Sequence, residues 1–126
     1  MHKSRLGALV VDCQSDDQAD QARFWVAALG TQPESQEIQV NSKYIRLNGA
    51  PSEAQVLLQK VEHPSGVLSA IETDDIDAEV KRLEAAGASV VEWMEKWVVM
   101  EAQSKHRFCV IEPIRSDLEK MANVWK

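Results

Sequence analysis

The sequence predicts an α+β fold: two βαβββ modules forming a curved mixed-sheet cleft, plus a short C-terminal helix. Three observations lead there. A short apolar run followed by an amphipathic helical stretch occurs twice, beginning at Leu6 and at Val67. The helical stretches Asp17–Gly30 and Asp74–Gly87 have equal length and lie 57 positions apart. Each is followed by three short β-like runs, so one supersecondary unit repeats. One helix and one small sheet bury too little to stand alone, so the two sheets are expected to associate. The 126 residues read as a single domain. Module one covers about 5–61, module two about 67–113, and a tail helix about 116–125.

The elements follow in order. "LGALVVD" (6–12) is nearly continuous apolar sequence, as in a strand covered on both faces. Ser15 and Gln18 have capping-box spacing, and Asp16 and Asp17 suit a helix N-terminus. Ala22, Trp25, Val26 and Leu29 form one helical stripe, stopped by Gly30 and Pro33. "EIQV" (37–40), "KYIRLN" (43–48) and "AQVLLQKV" (54–61) are strand candidates, with "NGAPSE" (48–53) a turn. "EHPSG" (62–66) separates the modules. The pattern then returns. "VLSAIE" is a strand, and "TDD" starts a helix with Ile76, Val80 and Leu83 on one side. Gly87 ends it, and "ASVVEW", "KWVVM" and "HRFCVIE" are strands. In the tail, "SDLE" (116–119) reads as a capping box, with Leu118, Met121, Ala122 and Trp125 on one stripe.

The net charge of −6 argues against a nucleic-acid partner, which needs clustered Lys and Arg. No apolar run has the length of a membrane span. Cys13 and Cys109 are isolated, with no C-x-x-C spacing. The apolar stretch after the first basic residues is too short for a secretory signal. A cytoplasmic protein with reduced thiols is expected.

Three segments carry a family resemblance. "ARFWVAALG" (22–30), "IETDDIDAEVKRLEAAGA" (71–88) and "HRFCVIEP" (106–113) resemble the first helix, the second strand-to-helix segment and the last strand of the vicinal oxygen chelate superfamily. The match is to its glyoxalase-like branch (glyoxalase/bleomycin resistance protein/dioxygenase). That superfamily includes isomerases, dioxygenases, epoxide-opening thiol transferases and non-catalytic drug-binding proteins, so the resemblance implies a fold before an activity. Its enzymes hold a divalent ion on four strands. The matching positions here are near Gly7 or Ala8, near Gln59, Leu68 where relatives carry His, and Cys109 where relatives carry Glu. "AQSK" (102–105) replaces the Asp-Pro-x-Gly turn common among relatives. Mg²⁺ or Mn²⁺ wants carboxylates, and zinc wants three or four His, Cys or carboxylate donors. The set implies no metal and no cofactor.

Other residues are weighed on their own chemistry. His63, before Pro64, reads as a solvated loop residue, and His106 as a hairpin residue at the mouth of the cleft. Asp74, Asp75 and Asp77 are accounted for as cap and dipole partners. Glu72 alternates with Ile71 and is expected to face away from it. Trp93 and Trp97 flank a hairpin and offer an aromatic wall for a planar ligand, or cover for a helix or dimer surface. Trp25 and Trp125 belong to packing stripes. Cys109 reads as a small core residue rather than a nucleophile, which needs an adjacent base.

The expected function is metal-independent binding of a small, mostly apolar or aromatic molecule in the cleft, with Gln59, Leu68, Trp93, Trp97, His106 and Cys109 as cleft candidates. Two alternatives stand beside it: a metal-dependent lyase, isomerase or dioxygenase, and a regulatory or assembly module using the tail helix. Whether any reaction is catalysed stays open. The resemblance also implies a homodimer.

Overall fold

A computed structural model describes residues 1–35, 38–49 and 54–126. They divide into two units, Ala8–Val67 and Met1–Gly7 with Leu68–Lys126. Strand β1 (His2–Cys13) contributes its second half to the former and its first half to the latter.

In the unit 8–67, β1 runs parallel to β4 (Gln55–Lys60), from Ala8 beside Gln55 to Cys13 beside Lys60. Antiparallel β3 (Tyr44–Asn48) pairs β4, and the two-residue β2 (Gln32–Pro33) pairs β3. Helix α1 (Gln18–Leu29) starts at Asp17, whose extended backbone lets its carboxylate accept the Asp20 N–H at 3.0 Å. Ser15 instead accepts the Asp17 N–H, so the cap falls two residues later than the box spacing suggested. Gly30 stops the helix in the left-handed region, φ 68°, donating to the Val26 carbonyl. Ala22 meets Ile45, Leu47 and Leu58 in a core joined by Val11, Trp25 and Val26. Leu29, the last residue of the expected stripe, is exposed.

The strand expected at 37–40 does not form over Ile38–Val40, and Glu37 lies outside the described residues. The Val40 carbonyl accepts the Gln18 N–H at the start of α1, which takes it from a sheet ladder. The expected turn at 48–53 lies outside the described residues beyond Gly49.

In the other unit, β5 (Gly66–Thr73) runs parallel to β8 (Arg107–Ile111). Antiparallel β7 (Trp97–Glu101) pairs β8, and β6 (Ser89–Trp93) pairs β7 with a register shift between Val90 and Glu92. Helix α2 (Ile76–Ala85) is capped by Asp75, which accepts the Ala78 N–H at 3.1 Å. Gly87, φ 115°, follows its end. Val80 packs on Val98, Met100 and Val110, with Ile76 and Leu83 beside it, as the stripe predicts.

The tail differs from the expected helix over 116–125. Helix α3 (Leu118–Met121) is a single turn, and β9 (Asn123–Trp125) pairs antiparallel with His2–Ser4 of β1. The edge of β1 offers a backbone ladder that a continued helix could not use. Trp125 secures it by donating its indole N–H to Ser4 Oγ at 2.8 Å and by lying under the Arg82 guanidinium at 3.8 Å. Met121, expected on a buried stripe, is 65% exposed. Among the described residues no helix is long and apolar enough to cross a membrane.

Candidate functional site

In the unit 68–126, α2 covers one sheet face through Val98, Met100 and Val110. Side chains alternate across a strand and register partners share a face. The opposite face therefore carries Leu68 and Ala70 on β5, Cys109 and Ile111 on β8, and Trp97 and Val99 on β7. Cys109 sits between Ala70 and Val99. Ala70 is buried and the other five are half-buried. These six positions are apolar, with one aromatic ring and one thiol, and the ion pair of Glu101 on β7 with Arg107 on β8 continues the same face at its edge.

Trp93 is not part of it. Its register partner is Val98, on the α2 side, whereas Trp97 is opposite Ile111. The two tryptophans stand on opposite faces, so they do not form one wall. The Met94 N–H donates to the Trp97 carbonyl, which makes Met94 the cross-strand neighbour of Trp97. His106 lies in the exposed turn before β8, its Nδ1 2.7 Å from Ser104 Oγ.

Glu72 shares the face of Leu68 and Ala70, away from Ile71 as expected, and is fully buried. It is already engaged. It accepts from Arg5 Nε at 2.6 Å, Arg115 Nε at 3.1 Å and the Ile114 N–H at 2.9 Å. Arg5 also pairs with Asp117, and Arg115 donates to the Leu6 carbonyl at 2.6 Å. A Cβ on Gly7 would lie 3.0 Å from Glu72 Cβ and Cγ. Glu79 is likewise buried, accepting from His2 Nε2 at 2.8 Å and from two Arg82 nitrogens at 2.7 and 2.8 Å. Burial pushes its carboxyl up, but the bonds from Arg82, Ser4 and His2 outweigh it and hold it below the usual carboxylate range. Neither group is a free base or metal ligand.

In the unit 8–67, the face opposite α1 holds Val10 and Asp12 on β1, Leu57 and Gln59 on β4, and Tyr44 on β3. Gln59 is half-buried between Asp12 and Tyr44. Asp12 is only 6% exposed, and no hydrogen bond reaches its Oδ1. His63 Nε2 lies 3.7 Å from its Oδ2. Burial pushes the Asp12 carboxyl upward, partly opposed by His63. Burial, and then Asp12, also push the Cys13 thiol up, away from thiolate chemistry. Sequence reasoning took Asp12 as the end of a strand. Its signal was a carboxylate inside the apolar run "LVVDC".

The positions matching the superfamily's metal ligands do not fit a divalent ion. Gly7 has no room for a longer side chain beside Glu72, Leu68 has no donor, and Gln59 and Cys109 are an amide and a thiol. Among the described residues no three His, Cys, Asp or Glu side chains form a metal-binding group.

A helix followed by three strands recurs, each helix covers one face of its own sheet, and a parallel strand pair lies in each unit. This is the build of a vicinal oxygen chelate protein. The family model of the glyoxalase-like domain matches residues 8–111, and the chain belongs to that family. Solved structures of low identity share the fold. The hypothetical protein BH1468 from Bacillus halodurans C-125 has a TM-score of 0.65 at 12% identity, over 90% of this chain and 96% of that one. Methylmalonyl-CoA epimerase from Mycobacterium tuberculosis gives 0.61 at 17%, over 86% and 87%. A variant of homoprotocatechuate 2,3-dioxygenase from B. fuscum gives 0.58 at 13%, over 88% and 33%. No curated protein sequence matches this chain.

Proposed function

We propose that the protein binds a small, mostly apolar or aromatic molecule on the face built from Leu68, Ala70, Trp97, Val99, Cys109 and Ile111, without a resident metal ion. The observation that carries this reading is the composition of that face: the carboxylates on its three strands are both engaged, Glu72 by two arginines and Glu101, at the edge, by Arg107 and Lys105. Such a surface suits van der Waals and ring contacts rather than ion coordination. A homodimer in the cytoplasm completes the proposal, and light scattering tests the dimer. The epimerase and dioxygenase neighbours share the fold at identities too low to bring their activities here.

The test is a thermal-shift and fluorescence panel of neutral aromatic compounds against the parent chain and Trp97→Ala. Saturable stabilisation that is lost in the variant is expected. One tightly held equivalent of Ni, Zn, Fe or Mn after chelator-free purification, lost on mutating Gln59 or Cys109, refutes the metal-free reading.

A further inference from the structure

Arg107 is a cation on the apolar sheet face that keeps donors to give. It opens β8 two residues before Cys109, so it shares the face of Cys109 and Val99, and its register partner on β7 is Glu101. The buried arginines, Arg5 and Arg115, are held by Glu72. Arg107 is different. Its side chain is 60% exposed, and its Nε stands 3.6 Å from Glu101 Oε2, too long for a hydrogen bond. Among the described residues no hydrogen bond occupies its guanidinium.

The turn before β8 brings a second cation to the same carboxylate. Lys105 Nζ lies 3.7 Å from Glu101 Oε1. One carboxylate thus stands between two cations, and one positive charge is left over at this edge. Lys105 holds the left-handed conformation, φ 74°, which crowds a side chain and favours glycine. Its N–H closes the turn on the Ala102 carbonyl at 2.9 Å, and the Ala102 N–H donates to the His106 carbonyl at 2.9 Å. The turn therefore keeps a strained lysine where a glycine relieves the strain. Strain retained beside a ligand surface points to a use for the side chain that bears it.

A guanidinium with an open edge, next to a second cation, matches a planar anion. A carboxylate can accept two parallel N–H bonds from one arginine. Apolar positions lead away from that anchor, with Cys109 next along β8, Val99 across from it and Trp97 beyond. Glu92, opposite Val99 on β6, puts a carboxylate at the far edge of the face. It repels an anion there and so favours the arginine end for the charged group.

We propose that the ligand of this face is an ionised aromatic or apolar carboxylic acid, its carboxylate held by Arg107 with charge added by Lys105, and its carbon body against Val99 and Trp97. The inference rests on the reading of this face as a small-molecule surface, and it adds the class of molecule and the residue that selects it.

The experiment is a titration of the full isotope-labelled chain, followed by amide chemical shifts, in about 150 mM salt to screen non-specific charge effects. The probes are phenylacetate, its neutral isostere phenylacetamide and the cation phenethylammonium. Phenylacetate is expected to move the Trp97, Val99, Arg107 and Cys109 amides saturably. It is expected to bind about three- to tenfold tighter than phenylacetamide, the range for a bidentate pair that stays partly exposed. Arg107→Gln is expected to abolish that preference while leaving phenylacetamide binding and the remaining spectrum in place. Lys105→Gly, whose backbone suits φ 74°, is expected to reduce the preference and to raise the melting temperature. If none of the probes shifts these amides, the surface reading fails and the inference falls with it. If phenylacetamide or phenethylammonium binds as tightly as phenylacetate, or the preference survives Arg107→Gln, the surface stands and the carboxylate anchor is overturned.

Discussion

Glu72→Gln is expected to be the most damaging near-isosteric change in the protein. The carboxylate is fully buried and gathers donors from Arg5, Arg115 and the Ile114 amide. Both guanidiniums are themselves buried, at 10% and 7% side-chain exposure. An amide keeps one acceptor, loses the charge, and turns an NH₂ toward a cation. Arg5 retains Asp117 as a counter-ion. Arg115 retains the Leu6 carbonyl, a dipole rather than a charge. Removing one partner of a buried ion pair typically costs about 3–5 kcal/mol. That is a large part of the roughly 5–15 kcal/mol that holds a domain together. The measurement is equilibrium urea unfolding followed by tryptophan fluorescence, with the midpoint falling and the slope unchanged. Arg115→Gln alone is also destabilising. The double variant is expected to lose less than the sum, by about 1 kcal/mol or more, because the two changes remove one shared interaction. A loss below about 1 kcal/mol for Glu72→Gln, or strict additivity, refutes the hub.

Gly7→Ala forces a Cβ to 3.0 Å from Glu72 Cβ and Cγ and should cost about 1–3 kcal/mol. Gly66→Ala, with nothing within 4 Å, is the control expected to sit near zero in the same urea assay. Trp125→Ala removes the bond to Ser4 and the stack on Arg82, together about 1–3 kcal/mol, and hydrogen exchange should quicken at His2–Ser4. The Glu79 carboxyl is held below its ordinary 4.5. Its stabilisation is therefore present above that value and lost as pH falls through the depressed value. Urea midpoints measured down to about pH 3 should fall more steeply for the parent than for Glu79→Gln. Asp12 has the opposite sign. Its carboxyl is raised above 3.8, so the penalty of burying its charge is present at neutral pH and fades toward 3.8. Asp12→Asn should raise the melting temperature at neutral pH, and the gain should disappear in acid.

The architecture was legible because it rests on local signals that repeat. The stripe of Ile76, Val80 and Leu83 and the left-handed stops at Gly30 and Gly87 need no tertiary information. The tail was misread for a physical reason. Leu118 and Trp125 fit a helical stripe, but the edge of β1, Ser4 Oγ and the Arg82 face come from residues far away in the chain. The aromatic wall failed on register. The tight turn at 95–96 sets Met94 opposite Trp97 and Trp93 opposite Val98, so the two rings stand on opposite faces, and alternation counted along one strand does not carry across a hairpin turn. Glu72 was correctly turned away from Ile71, yet its arginine partners are 67 and 43 residues distant. Spacing rules do not reach that far.

The carboxylates separate into two kinds. Asp17 and Asp75 cap helices, and Glu72 and Glu79 are buried under arginine, so each is explained by the stability it confers. Asp12 is buried to a similar degree, with no arginine, an imidazole 3.7 Å from its Oδ2 and no hydrogen bond at its Oδ1. Burial without an arginine gives Asp12 the sign opposite to that of Glu79, whose bonds from Arg82, Ser4 and His2 outweigh its burial. Asp12→Asn tests that sign in one protein. A melting temperature raised at neutral pH but unchanged in acid identifies the buried charge, not the shape of the side chain, as the cost. If the variant melts lower at neutral pH, Asp12 is a structural residue and the reasoning from its burial is refuted.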